Sequence, residues 1–349
     1  MYPTKKLWEI CEILDKFRKP VTSSDRKKWI YPYYWATWIQ DFVDSYIFDD
    51  ELVLIWEDWA KWWSWCKTAF KISGKTWVNN HAHVLKAKSD ILLDNWLIYF
   101  INFSNLELYI TWATVKKLNQ EKLKQIPIPL PPLPTQQKIV FKLDSSFEKL
   151  DKAITLTKQN LVNIEELNKS ILEKIFKECE EKHEKRKLGE IIILNYWKSA
   201  EKNENWLYDV YWANWVMYKS DKFLFDWESI IVWRKWSAGA LNKVNWRFWA
   251  SDVTYFVVTN ENINYIFNWL KFLNISSLAK WVKPWINRND IYDLFLPLPP
   301  LPTQQKIVEY LDNIFAENQK LKNLYQAQIK NLDEMKQSFL KKAFAGDLV

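Results

Sequence analysis

Two histidines one residue apart are the first candidates for metal chemistry in this chain. On a β-strand, His81 and His83 would share one face, where both imidazoles could bind one cation. Only Cys66 and His183 remain as further soft ligands, and their spacing predicts no tetrahedral set with the pair. The three cysteines fall at unrelated positions and predict neither a disulfide framework nor a metal cluster. We therefore expect no metal site.

Short motifs that carry catalysis in common enzyme classes are also missing from the sequence. Neither a phosphate-binding loop of the form GxxxxGK[ST] nor a G-x-S-x-G nucleophile elbow occurs. The methyltransferase pattern of a glycine loop followed by Asn-Pro-Pro-Tyr is absent as well. We expect this chain to have no catalytic activity alone.

The strongest pattern in the sequence is a duplication. LPPLPTQQKIV occurs at Leu130–Val140 and again at Leu298–Val308, 168 positions later. The match continues at the same offset, for example at Leu143 and Leu311. Such a run of identical residues predicts two copies of one structural unit.

Each copy has the pattern of a proline-rich stop followed by a long helix. Prolines suit a first turn, whose N–H groups lack helical partners, and Thr135 and Thr303 are predicted to be N-caps. We expect helices over Gln136–Lys177 and Gln304–Phe344, the first about 63 Å long at 1.5 Å per residue. Their one-sided apolar stripes, together with the duplication, favour two helices that pack on each other over two ordinary amphipathic helices. The residues predicted at the seam are Leu143, Leu167, Leu311 and Leu332.

Composition indicates a globular protein of two or three domains. Of its 349 residues 48% are hydrophobic, and no apolar run approaches the roughly twenty residues of a membrane span. The opening MYPTKKLWEI lacks the apolar core of a signal peptide, so we expect a cytoplasmic protein. A net charge of +7 permits a polyanionic partner without requiring one.

Tryptophan and glycine occur in abnormal proportions. The chain has 24 Trp and only 4 Gly, although turns need residues that tolerate positive φ. In the internal repeat, KLWEI at 6–10 matches KLGEI at 187–191, which sets Trp8 opposite Gly189. We interpret many tryptophans as glycines of the native protein, encoded by UGA codons that were translated as Trp; Trp249 is expected to be genuine. The alternative is a protein truly rich in tryptophan.

The segments that precede the two helices share a frame and little else. YxxYWA at 31–36 is matched by YxxYWA at 208–213, among short β-prone runs. The predicted fold class is α+β, with two α/β domains in tandem pseudo-repeat, separated by two long helices. The predicted boundaries are 1–134 and 184–302 for the domains, and 135–183 and 303–349 for the helices.

On these motifs the chain resembles the specificity subunits of type I restriction–modification systems over essentially its whole length. The doubled PLPPLPTQQKIV with its following helix is the specific part of the match. Less specific motifs add to it at Tyr33–Ile39, Ile47–Asp50, Ile72–His83 and Ile231–Gly239. The family has glycine at several positions where this chain has tryptophan, which supports the glycine interpretation. These positions are Trp35, Trp38, Trp56, Trp59, Trp212, Trp215, Trp233 and Trp236.

The resemblance implies that each domain is a target recognition domain for one half of a bipartite, asymmetric site in double-stranded DNA. The two long helices would form an antiparallel coiled coil. This coiled coil would act as spacer and as docking surface for two methyltransferase (M) subunits and for restriction (R) subunits. S-adenosylmethionine, ATP and Mg²⁺ would belong to those partners, with no cofactor in this chain. A non-catalytic coiled-coil scaffold that binds proteins instead of DNA is the alternative.

Reading DNA requires cations for phosphates and forked or amide side chains for base edges. The candidates are polar and basic residues of the predicted loops. In the first domain they are Lys61, Ser64, Lys67, Thr68, Lys71, Lys75, Asn79 and Asn80. In the second domain they are Arg234, Lys235, Ser237, Asn242, Lys243, Asn245 and Arg247.

Overall fold

The computed structural model describes residues 2–26, 30–36, 38–58, 66–112, 116–196, 207–212, 215–223, 225–235, 237–245, 247–279 and 285–348. It divides into two compact units, Met1–Lys158 with Ala327–Val349, and Gln159–Gln326. Each unit therefore combines one strand-rich domain with the beginning of one long helix and the end of the other.

The first domain contains twelve strands and three short helices, and the first long helix follows it. In chain order these are β1 (Thr4–Lys6), α1 (Leu7–Ile10), β2 (Cys11–Ile13), β3 (Tyr31–Tyr34), β4 (Ile39–Val43), β5 (Phe48–Asp49), β6 (Leu52–Trp56), β7 (Ala69–Ile72), β8 (Lys75–Val78), β9 (Ala82–Ala87), α2 (Asp94–Phe103), β10 (Thr111–Trp112), β11 (Lys116–Lys117), α3 (Gln120–Lys124), β12 (Pro127–Pro129) and α4 (Leu133–Lys182), as far as the described residues go.

The second domain repeats this plan with fewer strands in the described ranges. Its elements are β13 (Lys185–Lys187), α5 (Leu188–Ile191), β14 (Ile192–Asn195), β15 (Tyr208–Trp212), β16 (Trp215–Ser220), β17 (Ser229–Trp233), β18 (Leu241–Val244), β19 (Trp249–Ala250), β20 (Thr254–Thr259), α6 (Ile263–Phe272), α7 (Arg288–Tyr292), β21 (Phe295–Pro297) and α8 (Leu301–Ala345).

The same sheet forms the centre of both domains. An antiparallel sheet has the order β2-β9-β6-β7 in the first and β14-β20-β17-β18 in the second. A second sheet contains one parallel pair in each domain, β3 with β8 and β15 with β19. A short ladder joins the first strand of each domain to the strand before its long helix, β1 with β12 and β13 with β21. The predicted tandem pseudo-repeat is therefore confirmed.

Central strand β6 is buried on both faces, which explains its uninterrupted apolar sequence. Val53 and Ile55 share one cluster with Trp96 of α2 and Leu143 of α4. Leu52 and Leu54 point to the other face and belong to a separate cluster. The core of the first domain thus extends directly into the long helix.

The proline-rich motif starts each long helix earlier than the sequence predicts. Because α4 begins at Leu133 and α8 at Leu301, the motif's last proline lies within the first turn, where no N–H donor is needed. The N–H groups of Thr135 and Thr303 donate to proline carbonyls three residues earlier, both at 2.8 Å. The prediction of these threonines as N-caps is wrong, because they already lie inside the helix.

The first glutamine of each motif is fully buried and joins the helix to its domain. Gln136 Oε1 accepts the N–H of Leu93 at 3.0 Å, and its Nε2 donates to the carbonyl of Ile91 at 2.8 Å. Gln304 Oε1 accepts the N–H of Asn262 at 3.1 Å. Leu93 and Asn262 immediately precede α2 and α6, so each amide fixes the N-terminus of a neighbouring helix.

Within the first unit, α4 and α8 pack antiparallel. Lys142 Nζ donates to the carbonyl of Leu348 at 3.0 Å, and further along α4 the carboxylate of Asp151 pairs with Lys336. As residue numbers increase along α4, the residues that it contacts in α8 have decreasing numbers, so the two helices run in opposite directions.

The second unit shows the same direction of packing. Glu165 pairs with Lys322, and Asn318 Nδ2 donates to Asn168 Oδ1 at 2.6 Å. The predicted antiparallel contact between the long helices is confirmed within each unit. None of the described helices combines the length and apolarity needed to cross a membrane.

The predicted seam is only partly correct. Leu143 and Leu311 are fully buried, and Leu332 is half-buried. Leu167 is 48% exposed, so its assignment to the seam is wrong. Ile164, almost one turn earlier, is buried in its place.

Replacing Gln136 by Leu should lower the free energy of unfolding of the first unit by roughly 2 to 4 kcal/mol, because buried backbone groups lose their hydrogen-bond partners. Gln137→Leu is the matched control, since the neighbouring side chain is exposed and should change stability by less than about 0.5 kcal/mol. Urea denaturation of both variants measures the difference. Equal effects would show that the buried amide does not anchor the helix.

Candidate nucleic-acid interface

Polar side chains cluster where the central strand of each domain ends. β6 is followed by Glu57, and β17 by Arg234. The carbonyls of these two residues accept the N–H groups of Leu118 and Ile286 at 2.8 and 2.9 Å. The two clusters therefore occupy equivalent places in the duplicated frame.

In the first domain the cluster is a network of paired ions. Arg18 lies between two buried carboxylates, with NH2 3.3 Å from Asp15 Oδ2 and NH1 in close contact with Glu57. Lys117 Nζ is 2.9 Å from the other oxygen of Glu57. Each buried carboxylate thus has a cationic partner, as buried charges require.

The buried imidazole of His83 completes this network. Its Nδ1 is 2.6 Å from Asp15 Oδ2, and its Nε2 is 2.7 Å from the carbonyl oxygen of Leu118. Both oxygens can only accept, so both contacts form at once when the ring carries two protons. His81 is turned to another partner, with Nδ1 2.9 Å from the Asp58 carboxylate. The two histidines therefore do not face a common metal position.

The network holds its acidic members as carboxylates. Burial raises the pKa of Asp15, but hydrogen bonds from His83 and the Val84 amide and the charge of Arg18 outweigh it, so this pKa lies below its usual value. Burial likewise raises the pKa of Glu57, and His83, Arg18 and Lys117 together lower it below the usual value.

The equivalent cluster of the second domain has different chemistry. Arg234 Cζ lies 5.0 and 5.1 Å from the ring centroids of Tyr196 and Tyr255. Arg288 Cζ lies 5.5 and 5.6 Å from the same two rings. Two guanidinium groups therefore share one aromatic platform.

Four of the first domain's predicted DNA contacts are not available as described surface groups. Lys61 and Ser64 lie outside the described residues. Thr68 is buried, with its N–H donating to Asn102 Oδ1 at 2.7 Å. Asn79 is buried too, and its Nδ2 donates to a tyrosine hydroxyl at 2.7 Å. Thr68 and Asn79 are thus buried in the structure, although the sequence predicts them as loop residues that contact DNA.

The other candidates of this domain are at the surface. Lys71 is engaged in ion pairs, with Nζ 2.8 Å from Glu51 and 3.1 Å from Asp94. The exposed candidates are Lys67, Lys71, Lys75 and Asn80.

The second domain brings several candidates to a single strand and the turn after it. Lys243 Nζ donates to Asn264 Oδ1 at 2.8 Å, and Arg247 Nε lies 3.3 Å from Asp226. Arg247 also has a positive φ of 34°, which presents its side chain from a tight turn. The exposed candidates are Lys243, Asn245 and Arg247, and the half-buried ones are Arg234, Lys235, Ser237 and Asn242.

Comparison with known families identifies the repeated domain. The family model of the type I restriction modification DNA specificity domain matches residues 2–166 and again 168–331, nearly the whole chain. The chain belongs to this family. Its members are specificity subunits, a non-catalytic class, and the two matches coincide with the two copies of the duplicated frame.

Two curated specificity subunits are similar in sequence. The putative type I restriction enzyme specificity subunit S.HindORF215P of Haemophilus influenzae is 39% identical over 141 residues, which cover 40% of this chain and 36% of that protein. The type I restriction enzyme EcoDI specificity subunit of Escherichia coli is 31% identical over 90 residues, which cover 24% of this chain and 20% of that protein. The matched segments therefore span only about a third and a fifth of these relatives.

Solved structures share the fold over the full length. A chain from work on complex assembly and conformational transition of the type I R-M system aligns with a TM-score of 0.79 at 17% identity, covering 99% of this chain and 98% of that one. The HsdS subunit from Thermoanaerobacter tengcongensis aligns with a TM-score of 0.57 at 17% identity, covering 99% and 97%. At this identity the comparison establishes the specificity-subunit fold alone.

Sequence reasoning did not single out Asp15, Arg18, Tyr196, Tyr255 or Arg288. These residues are far apart in sequence and meet only through the sheet register. One signal was present for Arg288, which follows Asn287 just as Gln120 follows Asn119 at the offset of 168.

Asp15→Asn should make the stability of this specificity chain less dependent on pH in the acid range. Because the pKa of Asp15 is depressed in the fold, its stabilisation is present above the unfolded value of about 4 and is lost as pH falls through the folded value. Urea midpoints measured from pH 6 to pH 3 should therefore fall less in the variant than in the parent chain. Asp90→Asn, at an exposed position, is the control. Parallel curves for the parent and Asp15→Asn would contradict the assignment.

Proposed function

We propose that the chain is the DNA sequence-recognition subunit of a type I restriction–modification complex. Each domain reads one half of a bipartite, asymmetric site, and the chain docks methyltransferase and restriction subunits. The observation that carries this proposal is a duplicated arrangement of sheets and helices whose two copies place different side chains at equivalent positions. Equivalent central sheets and equivalent buried glutamines hold strand-end clusters of different chemistry.

Exposed cations in both domains support binding to DNA. Lys67 and Lys75 in the first domain, and Lys243 and Arg247 in the second, are exposed on or beside strands and turns. Such side chains contact phosphates, whereas an Arg fork can also read a guanine edge. Unlike contents in the two domains favour unlike half-sites.

The long helices support the docking of partner proteins. Large apolar side chains remain exposed on them, including Phe141 at 76% and Leu156 at 59% in the first unit. In the second unit Leu324 is 64% and Tyr310 57% exposed. Apolar groups of this size are typical of surfaces that another protein covers.

Two helices with repeated sequence favour two methyltransferase subunits, one on each repeat. Chemistry then belongs to the partners. S-adenosylmethionine for methylation, and ATP and Mg²⁺ for restriction, would be bound by the methyltransferase and restriction subunits, while this chain is non-catalytic.

Replacing residues 184–297 by the equivalent segment of another specificity subunit should change one half of the methylated sequence. The other half and the spacer length should be unchanged, because the first domain and both helices are retained. Methylome sequencing of cells that express the hybrid with its methyltransferase subunit measures both outcomes.

The reciprocal replacement in the first domain is the control and should change the opposite half. A hybrid that alters both halves would contradict the division between the domains. Co-purification with the methyltransferase without any DNA binding would favour the protein-binding scaffold.

A further inference from the structure

The arginine pair of the second domain has features of an anion site. Arg234 Nε is buried and has no hydrogen-bond partner. Within the described ranges, no carboxylate forms an ion pair with either Arg234 or Arg288. Tyr196, one of the two rings beneath them, is 49% exposed, so the platform is open to solvent.

The arginine pair and its two tyrosines occupy the place that the ionic network of Asp15, Glu57 and His83 has in the first domain. His83 pairs across the sheet with Ile55 of β6, and Tyr255 pairs with Val232 of β17, so Tyr255 takes the place of His83. Arg234 takes the place of Glu57, as the first residue after the central strand.

Arg288 likewise takes the place of Gln120. Both are the first residue of a short helix that follows an asparagine N-cap. Gln120 Nε2 donates to Asp15 Oδ2 at 3.1 Å, so the first domain uses this position within its paired network. The second domain has a positive charge there instead.

The two tyrosine rings alone do not balance the positive charges of Arg234 and Arg288. Each tyrosine face attracts a cation, but two guanidinium groups on the same two rings also repel each other. A ligand with several anionic oxygens would relieve the repulsion and accept from the unpaired Arg234 Nε. Guanidinium forks match phosphate geometry well, which makes a phosphate group the chemistry that this site fits.

We propose that Arg234 and Arg288 bind one backbone phosphodiester of the DNA. This rests on the proposed function and adds a contact that only the second domain makes. In the first domain the carboxylates of Asp15 and Glu57 occupy the equivalent place and would repel a phosphate.

The test uses the complex with its methyltransferase subunits and two duplexes, one cognate and one unrelated. Arg288→Gln should weaken binding to both by the same factor and reduce the slope of log K against log salt by about one, since one phosphate contact is lost. Gln120→Ala, the matched change in the first domain, should leave the slope unchanged. Arg288→Lys should retain the slope while weakening affinity, because the charge remains and the fork is lost.

A salt slope unaltered in Arg288→Gln would overturn the proposal while the complex still binds DNA. Loss of DNA binding in every variant and in the parent complex would instead remove the proposed function. Inorganic phosphate at constant ionic strength distinguishes the source of the anion. If it raises the melting temperature of the parent but the DNA slope does not respond to Arg288→Gln, the site binds free phosphate and the DNA contact is refuted.

A second inference concerns the tryptophans and rests on the residues at equivalent positions of the two copies, which divide some of them into genuine tryptophans and recoded glycines. Trp96 and Tyr265 occupy equivalent places, since Trp96 Nε1 donates to the carbonyl of Pro129 and the Tyr265 hydroxyl to that of Pro297, both at 2.8 Å. An aromatic donor is thus required in both copies.

Trp269 also has an aromatic counterpart. Its ring lies 4.9 Å from that of Phe176, and in the first unit the ring of Phe100 lies 5.2 Å from that of Phe344. Trp96 and Trp269 are both buried.

Trp8 lacks an aromatic counterpart, and Trp35 and Trp38 are matched only by Trp212 and Trp215, to which the glycine interpretation also applies. Trp8 stands opposite Gly189, where an added Cβ would lie only 2.9 Å from Tyr292 Cβ, and Trp8 itself is 53% exposed. Trp35 and Trp38 lie in the turn between β3 and β4, and Trp38 is 42% exposed. Among the described residues no tryptophan has a positive φ, so the position of Trp35 and Trp38 in a turn and the glycine opposite Trp8, not backbone strain, distinguish this group.

We infer that Trp8, Trp35 and Trp38 are glycines encoded by UGA, whereas Trp96 and Trp269 are genuine tryptophans encoded by UGG. Sequencing these five codons in the gene and measuring peptide masses of the protein from its native cells test both assignments. Glycine masses at the first three positions and tryptophan at the other two are expected. Tryptophan masses at Trp8, Trp35 and Trp38 overturn the recoding, and UGA at Trp96 or Trp269 overturns the sorting.

Discussion

The buried amide at the start of each long helix is the constraint on which the rest of the structure depends. Gln136 and Gln304 each satisfy the N–H of the residue that precedes a neighbouring helix, inside a core where water cannot replace them. Repetition of the motif makes the two attachments equivalent.

On this common frame the two domains differ where their central strands end. The first places Asp15, Glu57, Arg18 and His83 in a compensated ionic network, whereas the second places two guanidinium groups on tyrosine rings. The buried charges of the first cluster are paired with one another, whereas none of the described carboxylates forms an ion pair with the two arginines of the second. The same scaffold position is therefore structural in one copy and suited to a ligand in the other.

The architecture could be predicted from sequence because its signals are local or repeated. A run of twelve identical residues predicts the duplication, and the apolar stripes predict the long helices. The predictions of the helix starts and of Leu167 at the seam are wrong. The first residue of a helix and the face that it buries depend on tertiary contacts, which the local sequence does not show. The sequence predicts Thr68 and Asn79 as loop residues that contact DNA. Their burial could not be predicted, because it depends on the register of the sheet. Arg288 and Tyr255 meet only after the chain has folded.

The central claim is that two unlike domains read two separated half-sites. Hydroxyl-radical footprinting of the purified complex on its methylated sequence tests it most directly. We expect two protected patches of duplex separated by an accessible stretch, with the second patch alone weakened by Arg247→Ala. One continuous patch, or equal weakening of both patches, would contradict the account.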